Sequence, residues 1–294
     1  MKKINVSKNH KSFFIASGVA ILICLAALLF KGLNLGIDFV GGTIVQVDLN
    51  QTFETQDIRI LSDKFDENAD ITYAGEARQQ MILSTSVDLT EAQRAEFLNG
   101  LEEAYNIDPK EDLLSIDNVS GAVGSELKRQ SLIAAAVAIL AMLIYISFRF
   151  EPLFGLAAVI ALAHDVIIVM GVYAILGIQV NTPFIAAILT ILGYSINDTI
   201  VVFDRIRENR KKYKKYDFAN LVDDSIGQTI TRSINTTLTT VLAIGALYVV
   251  GVQSIKDFTL PMIVGFIAGT YSSIFVASSF WFAMKSRKAA AVKR

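Results

Sequence analysis

Six stretches of the chain are apolar over 18 residues or more: 12–30, 131–148, 153–177, 183–203, 229–252 and 258–284. At 1.5 Å rise per residue, a helix of about 20 residues crosses the hydrocarbon core of a bilayer, so each stretch predicts a membrane-spanning helix. Between the first and second the period changes. "GTIVQVDL" (42–49) alternates, which places Val45, Val47 and Leu49 on one face of a strand. "TQDIRILSDKF" (55–65) carries Ile58, Leu61 and Phe65 on one helical stripe. "DITYAGE" and "QQMILSTSV" read as a hairpin about Gly75, and "LLSIDNV" (113–119) reads as a last strand. Thr90 with Gln93 makes a capping box before a helix bearing Phe97, Leu101 and Tyr105. The order β-α-β-β-α-β predicts a ferredoxin-like sandwich over 34–130. The expected architecture is therefore an α-helical membrane protein of six spans, with a small α+β domain between the first and second.

Charge orients this plan. The N-terminal tail (1–11) carries Lys2, Lys3, Lys8 and Lys11; the loop 205–228 carries Arg205, Arg207, Arg210, Lys211, Lys212, Lys214 and Lys215; the C-terminal tail (285–294) carries Lys285, Arg287, Lys288, Lys293 and Arg294. With six spans all three lie on one side, and the excess of Lys and Arg predicts that side to be cytoplasmic. Residues 34–130 then lie outside, with 19 acidic residues against 7 basic ones, a net charge of −12. That balance reads first as a solvated face and second as a contact for a basic partner; it holds no catalytic cluster and no feature of nucleic-acid binding. The first apolar run is long and "KGLNLGID" is a poor cleavage site, so that run reads as a retained span. Composition agrees with a membrane protein: 53% of residues are hydrophobic and the mean hydropathy is +0.47. One cysteine, Cys24, and two histidines, His10 and His164, leave no disulfide within the chain and no metal cluster; no cofactor is expected.

Four ionisable residues fall inside spans: His164, Asp165, Asp198 and Arg232. A charge at membrane depth costs about 2.5 kcal/mol or more, so such groups face a bundle interior and find partners. Arg232, Asn235, Thr236, Thr239 and Thr240 form one polar stripe along the fifth span; Thr190, Tyr194 and Asn197 form another along the fourth, with Asp198 at its edge. Asp198 lies about 9 Å inside the boundary at Asp204, and Arg232 a similar distance from its own boundary, so the two are expected to be level and to pair. Asp165 lies nearer the midplane, in the same pathway or in a separate contact. Two readings of Asp198 stand: a permanent ion pair that orients helices, and a carboxyl that takes up and releases a proton as a fixed guanidinium moves beside it. His164 reads as a satisfied interior histidine or as a relay member. Gly265, Gly269, Ser273 and Ala277 recur every four residues in the sixth span, a pattern that lets helices approach closely. The stretch "RIRENRKKYKKYDF" reads as a basic surface drawn to membrane lipids.

"GYSINDTIVVFDRIRENR" (193–210), with "GIDFVGGT" (36–43), "AVGSELK" (122–128) and "ALAHD" (161–165), resembles the SecD/SecF family of bacterial protein-export membrane proteins, on its SecF-type side, across nearly the whole chain. The resemblance implies membership of the resistance–nodulation–division superfamily and residence in the bacterial cytoplasmic membrane. It also implies a SecD partner that supplies a matching six-span half. The implied activity is transport: use of a proton gradient (sodium in some members) to help draw preproteins through the SecY/SecE/SecG translocon, with YajC and YidC as candidate neighbours. It further implies that Asp198, with Asn197 beside it, and Arg232 couple to the ion, with Asp165, His164 and Asn235 as candidate interior polar or relay groups. Asp38, Gly41 and Gly42 fall in the "DFVGG" motif and read as a structural link between membrane and outside domain, the glycines permitting a tight turn. Alternatives are half of an efflux pump of the same superfamily, a structural membrane scaffold without ion coupling, and an intramembrane aspartyl protease. The protease reading is opposed by the lack of a "GxGD" motif.

Overall fold

The computed structural model describes residues 5–75, 78–214, 217–251 and 253–292. Lys2, Lys3, Lys215, Val252, Lys293 and Arg294 lie outside the described residues. The first helix, α1 (Val6–Phe30), leads through a short strand, β1 (Asn34–Leu35), and one helical turn, α2 (Ile37–Val40), into a sheet domain. That domain is β2 (Gly42–Asp48), α3 (Thr55–Ser62), β3 (Asp70–Ala74), β4 (Gln80–Thr85), α4 (Glu91–Tyr105) and β5 (Leu113–Val119). The remainder is α5 (Gly121–Arg149), α6 (Pro152–Leu176), β6 (Gln179–Val180), α7 (Thr182–Asn209), α8 (Phe218–Val250), α9 (Gln253–Tyr271), a π-helical segment (Ser272–Ala277) and α10 (Ser278–Val292). Among the described residues, six helical stretches are long and apolar enough to cross a membrane, the last running through α9, the π segment and α10.

The sheet is antiparallel, in the order β3-β4-β2-β5. Alternation places Val45, Val47 and Leu49 on the face covered by α3 and α4, where they pack with Ile58, Met81, Leu83, Phe97 and Leu101. Thr90 and Gln93 close the capping box of α4. The domain joins the helices at two glycines. Gly41 (φ 83°) and Gly42 (φ 143°) adopt backbone that L side chains rarely take, and a Cβ on Gly42 would lie 2.0 Å from the Thr85 carbonyl oxygen. Asp38 Oδ2 accepts a hydrogen bond from the Thr182 backbone N–H at 2.8 Å, tying this turn to the start of α7. β1 and β6 pair in parallel beside it.

The helices pack around α7, which lies against α6, α8 and α9. α1 lies on α6 so closely that a Cβ on Gly171 would sit 2.2 Å from Cys24 Cβ. The far end gathers both chain ends. Asp223, at the start of α8, accepts from the Ser7 backbone N–H (2.8 Å) and hydroxyl (2.5 Å), and Glu151, in the α5–α6 turn, takes Arg210 and Lys285.

Several helix limits differ from those that hydropathy predicts. The tail 1–11 is helical from Val6, because the Ser7–Asp223 contact holds the first turn. Residues 121–130 are the first turns of α5, capped by Ser120, and not part of the sheet domain. The region 205–228 is mostly helix. Arg207–Asp204 (2.5 Å) and Arg205–Glu208 (3.1 Å) pairs three residues apart carry α7 past its apolar part, and Asp217 caps α8. Charged turns extend a helix without adding to its hydropathy.

Candidate functional site

A polar layer runs between α6, α7, α8 and the π segment. Asp165, on α6, is fully buried. Its Oδ2 accepts from the Ser195 hydroxyl of α7 (2.6 Å) and the Ser272 hydroxyl of the π segment (2.8 Å). Its Oδ1 lies 3.0 Å from His164 Nδ1. The imidazole in turn lies beside the Tyr271 ring, whose hydroxyl is 3.1 Å from Ser17 Oγ on α1. Ser273 donates to the Ser195 carbonyl (3.2 Å) and meets the Thr199 hydroxyl at 2.7 Å. A π turn carries one residue more than the α-helical ladder accommodates. Here it directs two successive serines, Ser272 and Ser273, at α6 and α7. The close approach behind this needs Gly265 and Gly269: a Cβ on the first would meet Ile191 at 2.5 Å, and on the second Ser195 Cβ at 3.0 Å.

Asp198 forms a second centre one turn along α7. It is buried, and its Oδ1 accepts from the Ser233 hydroxyl of α8 at 2.5 Å. Its Oδ2 is buried and has no hydrogen-bond partner among the described residues. Arg232, the residue before Ser233 on α8, forms no ion pair with this carboxyl among the described residues. The expected pairing across the helix interface is therefore not made within the chain.

The reason lies in which face α8 buries. Ser225, Thr229, Ser233 and Thr237, spaced by four, turn inward. Arg232, Asn235, Thr236 and Thr239 are exposed. The fifth span thus has two polar stripes. The weakly polar one packs within the chain, because small hydroxyl side chains allow close approach and bond back to their own helix: Thr229 donates to the Ser225 carbonyl at 3.1 Å. The strongly polar one faces out. On α7, Asn197 is exposed while Tyr194 turns in, its hydroxyl 3.1 Å from Thr237 Oγ1, which is 2.5 Å from Thr270 Oγ1.

Sequence reasoning missed Ser195, Ser233 and Ser272, the side chains that directly hold the two carboxylates. For Ser272 the available signal was the pair of serine doublets in "SSIFVASS" (272–279), four hydroxyls within one membrane span.

The family model described as "Protein export membrane protein SecD/SecF, C-terminal" matches residues 101–287, and that described as "SecD/SecF GG Motif" matches 26–52, the segment holding Gly41 and Gly42. The protein translocase subunit SecF of Sebaldella termitidis is 39% identical over 94% of this chain and 90% of its own length. The protein translocase subunit SecDF of Thermus thermophilus is 40% identical over 94% of this chain, which spans only 38% of that protein. The crystal structure of the Thermus SecDF superposes with a TM-score of 0.79 at 36% identity, covering 99% of this chain and 39% of that one.

Proposed function

This chain belongs to the SecD/SecF family of protein-export membrane proteins, and from that premise we propose that it is the SecF-type half of a SecD–SecF pair that uses an ion gradient to advance preproteins across the bacterial cytoplasmic membrane. The observation that carries the reading is Asp198: a buried carboxylate with one oxygen bonded to Ser233 and the other unpartnered among the described residues. Beside it runs an exposed stripe of Arg232, Asn235, Thr236 and Thr239 on a helix apolar enough to span a membrane. A guanidinium facing lipid at that depth is costly, so a partner helix is expected to cover the stripe. The SecDF relatives, of which this chain matches 38–39%, carry further chain in the same polypeptide. We assign that cover to SecD.

In this reading Asp198 takes up the proton, Asn197 and Arg232 face the partner's contribution, and Arg232, which keeps its charge, sets the affinity of the carboxyl by its position. Ser233 reports the protonation state to α8, because a neutral carboxyl releases the charge-assisted hydrogen bond. Asp165, with His164, holds α6, α7 and the π segment together and serves as the second interior group of the pathway; Asn235 belongs to the partner-facing stripe. The basic end faces the cytoplasm, with both termini. The βαββαβ module is ferredoxin-like in its strand order and lies outside the membrane, where it meets the preprotein emerging from SecY/SecE/SecG; YajC and YidC are further neighbours. Asp38, Gly41 and Gly42 transmit movement of α7 to it.

The test is export into sealed inverted vesicles carrying the chain with its SecD partner, with and without an imposed proton gradient. Asp198→Asn and Arg232→Met are expected to retain ATP-driven export and to lose stimulation by the gradient. Full stimulation in both variants overturns the coupling role.

A further inference from the structure

At the junction of helices and sheet domain, a cavity of about 310 Å³ lies between α5, α6 and α7 and is lined also by Leu35 and Phe39. Its lining is apolar except for Lys128 and Ser131. The dimensions suit one kind of occupant. Ala135, on its wall, lies seven residues past Lys128 along α5, about 10 Å deeper. Val166, on its floor, lies ten residues before the end of α6 at Leu176, about 15 Å deep. Half of a hydrocarbon core is also about 15 Å. The slot is therefore about as deep as one leaflet is thick, and Lys128 is its one charged lining residue. Lys128 is exposed and in no ion pair among the described residues, while the nearby Glu126 is engaged by Arg129 at 3.0 Å. α5 leaves Leu132, Ile133 and Val137 open to the surroundings beside it.

We propose that this slot is a binding site for one anionic phospholipid of the outer leaflet, its acyl chain lying between α5 and α7 and its phosphate paired with Lys128. A zwitterionic lipid offers the same chain with a phosphate whose charge is already balanced, so the Lys128 ammonium selects for net negative headgroups. The lipid wedges α5 from α7 directly beneath the Gly41–Gly42 turn and so steadies the joint between membrane and sheet domain. The leaflet assignment rests on the orientation proposed above; the site itself does not.

The test uses the purified full-length chain, delipidated in detergent and exposed to phosphatidylglycerol or phosphatidylcholine, with bound lipid counted by native mass spectrometry. The wild type is expected to retain one phosphatidylglycerol in preference to phosphatidylcholine. Lys128→Gln, an exposed change that leaves packing intact, is expected to weaken phosphatidylglycerol retention about fivefold and to leave phosphatidylcholine unchanged. Ala135→Trp, which fills the slot, is expected to lose both. Equal retention in wild type and Ala135→Trp, or no preference for the anionic lipid, overturns the proposal. So does capture of a partner protein's helix in the slot, read as crosslinking from Ala135→Cys in a Cys24→Ala background within the native membrane. None of these readouts requires export, so the lipid site and the export reading fail separately.

Discussion

At the residue scale, the two buried carboxylates are held differently, and the difference predicts how each responds to change. Asp165 has both oxygens engaged, and Oδ2 has two hydroxyl donors, Ser195 and Ser272. Removing one donor leaves the oxygen satisfied by the other; removing both orphans a fully buried carboxylate oxygen. A lost hydrogen bond costs about 1 kcal/mol, whereas a buried polar group left unsatisfied costs about 1–3 kcal/mol. Ser195→Ala and Ser272→Ala are therefore each expected to lower thermal stability in detergent modestly, and the double variant by more than their sum, with a coupling of about 1 kcal/mol or larger. Strict additivity would show that the two serines do not share the carboxylate. Asp198 lacks this redundancy: Ser233 is its one donor among the described residues. The looser setting of Asp198 is the one its proposed proton-binding role requires, and the tighter setting of Asp165 suits a contact that joins α6, α7 and the π segment.

At the element scale, apolar length alone made the six helices legible, and the period of two made the strands of the sheet domain legible. Three features were not. Helix ends escaped because charged turns such as 204–209 are as helical as the apolar part they continue. The orientation of α8 escaped because Ser233 and Arg232 are neighbours, so the buried and exposed stripes differ by one residue's rotation of about 100°. The π segment escaped because a single widened turn leaves no mark on hydropathy. Close approach, by contrast, was written in Gly265 and Gly269. It gives a contrast to measure. Gly265→Ala places a Cβ 2.5 Å from Ile191 and is expected to cost about 1–3 kcal/mol of stability. Gly245→Ala, on α8, meets nothing within 4 Å and is expected to gain about 0.5–1 kcal/mol from helix propensity. Circular-dichroism melts of the two variants in one detergent check both signs; a loss of stability in Gly245→Ala, or none in Gly265→Ala, would refute the packing argument.

At the scale of the whole molecule, the sheet domain and the helices meet along a seam that is itself titratable. Asp70 opens β3 and faces a cavity of about 340 Å³ that it shares with Arg59 and Glu67 of its own domain, with Gln179 of β6 and with Asp257 at the start of α9. Burial, and after it the charge of Asp257, pushes the Asp70 carboxyl up to about 6, against the opposing pull of Arg59 and of the Ile71 backbone N–H. The native seam therefore binds a proton that the unfolded chain, with an ordinary carboxyl near 3.8, has already released. The contribution to stability is full below that ordinary value and is lost as pH rises through about 6, the reverse of the usual salt-bridged aspartate. Hydrogen exchange in 70–74 and 177–180 is expected to be slower at pH 5 than at pH 7.5, after correction for intrinsic rates. Asp70→Asn is expected to be as protected at pH 7.5 as the wild type at pH 5, with the pH dependence flattened. An unchanged pH dependence in Asp70→Asn would assign the effect to another group. This carboxyl lies outside the spanning helices, so Asp70→Asn probes the joint between domain and membrane without touching Asp198 on α7.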